Sequence, residues 1–223
     1  MARISSGMLD PEWPFDKSFA PIAKQVGFLL RDVNDLQDLL KVLFMTFVPS
    51  LSEEMVNAIW HAVTNDRMQR AILLRAAEAG LPFDSPRLPT ELAKANKHIY
   101  EEIKWIVERA NSLSQQRDAA AHAPVAPVIE SAWTWIAHVF SGHPRAKDLQ
   151  GKPLLKEFRL YRERAATLYR YAHEWEFYLG TDRHLRMPQR PQWPDHPLER
   201  RGKTRQVQGG PKARKRLPPS SPA

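Results

Sequence analysis

Residues 154–179 read LLKEFRLYRERAATLYRYAHEWEFYL, and within them Leu154, Phe158, Tyr161, Ala165, Leu168, Ala172, Trp175 and Leu179 recur in steps of four and three. That rhythm holds one apolar stripe on a helix of about 3.6 residues per turn, where a half-buried strand would show strict alternation. Glu157, Arg159, Glu163, Arg170 and Glu174 fall off the stripe and read as a solvated face. A single amphipathic helix cannot bury its own stripe, so the rest of the chain must supply partners for it.

Working upstream, partners are found. Val26, Leu29, Leu30, Val33, Leu36, Leu40, Leu43 and Phe47 mark a first long helix, with Pro21 in its first turn and Pro49 as its stop. Ser52 followed by Glu53 and Glu54 reads as a capped start with acids near the positive end of the dipole. This second helix is expected to run to Ala79, with Gly80 as its stop. Three prolines between Gly80 and Pro89 mark a connector, after which Thr90 caps a helix striped by Ile99, Ile103, Ile106, Ala110 and Leu113. Pro124 and Pro127 end it. Around 128–140, Trp133, Trp135, Ala137 and Val139 alternate, which favours a short extended or hairpin-like insert, although Val128, Ala132, Trp135 and Val139 also fit a helix. The expected fold is therefore all-α, an antiparallel up-and-down bundle of four to five helices over residues 21–180. An extended lead over 1–20 precedes it, and a basic, proline-rich tail over 181–223 follows.

The 223 residues hold 33 Lys+Arg against 25 Asp+Glu, a formal charge of +8. From Thr181 onward there are eleven basic residues and three acidic ones, so the whole excess lies in the tail and residues 1–180 carry 22 of each sign. A basic nucleic-acid-binding body is excluded, and a basic arm is not. The absence of cysteine excludes a disulfide framework, a thiol nucleophile and thiolate zinc sites. No apolar run approaches a membrane span of about 20 residues, the N-terminus does not read as a signal peptide, and no glycine loop suits a phosphate. A cytoplasmic protein with no membrane partner, cofactor or metal is expected.

Arg117 interrupts the stripe of the helix that starts at Thr90, where an apolar residue is due. A guanidinium turned toward a bundle interior needs a carboxylate, or must open onto a cleft. Asp118, Ala119, Ala120, Ala121 and His122 follow directly, so an arginine and a histidine flank three very small side chains that leave room for a ligand or a second subunit. The same kind of spacing recurs from Arg190 to His196, but in a proline-rich stretch that is no helix end, so helical context distinguishes the first pair.

Arg117-Asp118-Ala-Ala-Ala-His122, closing an amphipathic helix of a bundle, resembles the Arg-x4–6-His motif of HEPN-domain proteins, in which a polar residue often follows the arginine. The helix order over about residues 20–180 is similar too. The resemblance implies a metal-independent endoribonuclease of toxin or defence type, or an RNA binder. It further implies a homodimer that pairs two motifs, and an antitoxin-like protein partner. Arg117, His122 and Asp118 would be its catalytic residues: histidine moves a proton near neutral pH, and arginine's planar fork holds phosphate oxygens. The sequence departs from many catalytic relatives in placing Ala123-Pro124 after His122. Five residues of helix also turn by about 140°, so the two side chains do not share a face of one straight helix. The plainer reading makes Arg117 a structural ion pair with Asp32, Asp35 or Asp38, and His122 a helix C-terminal cation. The protein would then be a non-catalytic interaction module binding a protein partner or a nucleotide.

Trp60, Trp105 and Trp175 read as core or interface anchors, whereas Trp133 and Trp135 are the better candidates for a recognition surface. His138 with His143, and the run His173-Glu174-Trp175-Glu176, match no metal-ligand spacing. In the tail, Arg200, Arg201, Lys203 and Arg205, then Lys212, Arg214, Lys215 and Arg216, form two basic clusters able to contact phosphate backbones with little sequence choice.

Overall fold

The computed structural model describes residues 14–122, 125–129, 133–137, 149, 151–181 and 186–195. The chain divides into two compact units, Met1–Trp193 and Pro194–Ala223, and of the second only Pro194 and Asp195 are described. Among the described residues the first unit is a helical bundle, all-α but for one short hairpin, with five helices: α1 Pro14–Phe47, α2 Glu53–Ala62, α3 Asp66–Gly80, α4 Thr90–His122 and α5 Leu154–Gly180.

Cross-helix pairs fix the directions. Gln37 meets Gln69 and Arg70 while Phe47 meets Gly80, so α1 and α3 run the same way and α2 returns the chain between them. Arg117 meets Asp66 and Asn111 meets Arg70, so α4 runs against α3. Tyr171 meets Glu102 and Trp175 meets His98, so α5 runs against α4. Each helix thus reverses its predecessor, which is the expected up-and-down order. The stripes of α1, α4 and α5 converge on one core, in which Leu29, Leu40, Leu43, Ile99, Ile103, Ile106, Phe158, Leu168, Trp60 and Trp175 are buried.

Four local features differ from expectation. Helix α1 starts at Pro14 and carries Pro21 inside it, so part of the expected extended lead is helical. The expected second helix is two. Asn65 breaks it, accepting from the Arg67 and Met68 backbone N–H groups as the cap of α3, and Ser52 caps α2 by accepting from Met55. Gly80 ends α3 without a left-handed turn. Its value is space, because an added Cβ would stand 3.2 Å from the Phe47 carbonyl oxygen where α1 ends against α3. Glu157, expected on the solvated face of α5, is buried.

The insert between α4 and α5 contains an antiparallel hairpin, strand β1 Val125–Ile129 paired with strand β2 Trp133–Ala137, in the register Val125 to Ala137 and Ile129 to Trp133. It lies slightly upstream of the 128–140 expected from alternation.

Candidate functional site

Asp66 opens α3, where a carboxylate is favoured by the helix dipole, and it points across to the last turns of α4. Arg117 Nη1 donates to Asp66 Oδ2 at 3.0 Å, while its Nε and Nη2 donate to Asp118 Oδ1 at 3.2 and 3.0 Å. The arginine side chain is 22% exposed, and its two carboxylates are 33% and 35% exposed. The partners proposed in α1 are not the ones used. Asp32 instead accepts from Arg31 and from Arg162 of α5, and Asp35 stands 3.9 Å from Arg31.

One turn along α3 lies a second cation that the reading of α4 did not reveal. Arg70 is 3% exposed. Its Nε donates to Asn111 Oδ1 at 2.8 Å and its Nη1 to Gln37 Oε1 at 2.9 Å. Gln37 in turn donates to Gln69, whose own amide donates to the carbonyls of Trp60 and Val63 at the α2–α3 break. Burial pushes the Arg70 guanidinium down to about 10, with the charge of Arg117 acting the same way and Asp66 opposing both. The signal was available in principle: Arg70, Leu73 and Ala77 share one buried stripe of α3, as Arg117 shares one with Leu113.

The alanines do not form an open patch. Ala119 and Ala120 are buried in the core, and Ala121 and His122 face solvent. The structure therefore brings Arg117 and Asp118 together with Asp66 and the Arg70 network, and leaves His122 exposed at the end of α4. The basic residues from Arg200 to Arg216, together with His138, His143 and the side chains of Trp133 and Trp135, lie outside the described residues. Among the described residues no group of three His, Cys, Asp or Glu side chains could hold a metal ion, and no helix is long and apolar enough to cross a membrane.

Arg70, Arg117 and Arg67, whose charge also reaches Arg70, stand here with two aspartates. The arrangement can pin α3 to α4. To hold a phosphate, Arg117 would have to exchange two carboxylates for it. Comparison with protein-family models, with curated proteins and with solved structures gave no match.

Proposed function

We propose that this chain is a HEPN-like bundle acting as a non-catalytic interaction module, with RNA contacted through the basic stretch Arg200–Arg216. The observation that carries this reading is the state of Arg117. All three kinds of N–H on its guanidinium donate to the carboxylates of Asp66 and Asp118. Stabilising the transition state of a phosphoryl group needs donors preorganised toward its developing charge, whereas three of the five N–H groups of Arg117 are turned to carboxylates. A phosphate entering here would meet two carboxylates, whose negative charge repels it and whose hydrogen bonds from Arg117 it would have to displace.

The homodimer with paired motifs and the antitoxin-like partner belong to the nuclease reading, and stand or fall with it. The test is incubation of purified protein with RNA in EDTA over a range of pH. No cyclic-phosphate ends are expected, and RNA affinity should be unchanged in Arg117→Ala and His122→Ala. Cleavage by the wild type that both variants abolish would overturn the proposal and restore the ribonuclease.

A further inference from the structure

Glu102 lies in the middle of α4 with only 8% of its side chain exposed. A carboxylate so placed needs partners, and they come from two directions. Tyr171 of α5 donates its hydroxyl to Oε2 at 2.6 Å. Arg190, from the extended segment beyond α5, donates from Nη2 to Oε1 at 2.7 Å and from Nε to Oε2 at 3.0 Å, a fork-on-carboxylate pair. The same guanidinium lies 5.2 Å from the centre of the Trp105 ring. Three residues on, Trp193 meets Trp105 edge-to-face at 5.7 Å. Arg109 lies within cation–π range of both indoles, at 5.4 and 5.1 Å. Met187, in the same segment, also packs against the core.

These features recognise a chemical pattern. A buried carboxylate offering both oxygens, a phenol and an indole face select a planar guanidinium over an ammonium. The Trp105–Arg109 surface selects an aromatic side chain a fixed distance further on. We propose that this face of α4 and α5 is a docking site for an extended peptide bearing arginine three residues before tryptophan, and that Arg190–Trp193 of the chain is its resident ligand. The segment has no regular secondary structure, Arg190 remains 46% exposed, and its side chain supplies both hydrogen bonds to the carboxylate. A tethered ligand acts at a millimolar effective concentration, which a free peptide must overcome.

The test uses the full chain with Arg190→Ala and Trp193→Ala combined, titrated with the synthetic peptide RMPQRPQW, the sequence of residues 186–193. Saturable binding to the variant is expected, at least about tenfold tighter than to the wild type, whose site is filled. A peptide with lysine for Arg190, or addition of Glu102→Gln to the variant, should weaken binding by at least about tenfold. A variant folded by circular dichroism that binds no peptide, or that binds no better than wild type, overturns the proposal. Should the double variant not fold, the single Arg190→Lys chain replaces it, and the same peptide must bind it more tightly than wild type or the site is refuted. None of these outcomes depends on RNA.

Discussion

Arg117 and His122 stand five residues apart on one helix and meet opposite surroundings. The arginine is held between two carboxylates and the histidine faces water. Removing the arginine deletes its hydrogen bonds to Asp66 and Asp118, so Arg117→Ala should cost about 1–2 kcal/mol, given the partial exposure of these groups. That corresponds to a fall of roughly 2–8 °C in Tm for a chain of this size. His122→Ala, at an exposed position, should cost less than Arg117→Ala. Thermal unfolding of both variants measures the contrast, and equal, unchanged Tm values would remove the structural role assigned to Arg117. Arg70 makes a sharper case. Arg70→Met keeps the length and drops the buried charge, but it leaves Gln37 Oε1 and Asn111 Oδ1 without their donor, a loss of about 1–3 kcal/mol. A double-mutant cycle with Asn111→Ala should show coupling above about 0.5 kcal/mol, and simple additivity would contradict the network.

Among elements, α4 and α5 depend on a group that neither helix supplies. Burial by itself would raise the Glu102 carboxyl, but the hydrogen bonds from Arg190 and Tyr171, together with the Arg190 and His98 charges, hold it below the usual carboxylate range. A carboxylate depressed on folding adds stability at any pH above its ordinary value near 4.5, and that stability is lost as pH falls through the lower folded value. Wild type should therefore be more stable than Glu102→Gln at pH 7, with the gap closing below about pH 4.5 in a series of melting curves. A gap that stays constant down to pH 3 would refute the linkage. The stripes of α1, α4 and α5 were legible because burial imposes a helical period on many residues at once, and Leu29, Ile103 and Leu168 all lie where that period puts them. The α2–α3 break was not read, since it rests on one capping side chain, Asn65, within an otherwise helical pattern. Arg117 stood out as a polar residue on an apolar stripe, but its partner could not be chosen, because Asp66 is 51 residues away and only the reversal of α4 against α3 brings it near. The docking of Arg190 and Trp193 has no periodic signature at all, being two side chains on a proline-rich segment.

At the scale of the whole molecule, the charge of +8 divides at Trp193 rather than at the end of α5. Residues 181–193 contribute +2, with Arg190 committed to Glu102, and residues 194–223 contribute +6 from eight basic and two acidic groups. A chain ending at Gly180 would remove the counterion of a buried carboxylate along with the basic arm, and would confuse loss of binding with loss of structure. A chain ending at Trp193 separates the two. It should melt several degrees above the one ending at Gly180, which also loses the contacts of Arg190 and Trp193. If the eight basic residues of the arm each engage one phosphate of single-stranded RNA, log K should fall against log salt with a slope near −5 to −6, taking about −0.7 per contact. For the chain ending at Trp193 the slope should approach zero, because the bundle it retains has almost no charge excess. A steep slope that survives this truncation would move the RNA contact onto the helices. The ion pairs of Arg117 would then have to open for a phosphate, and the non-catalytic reading would lose its support.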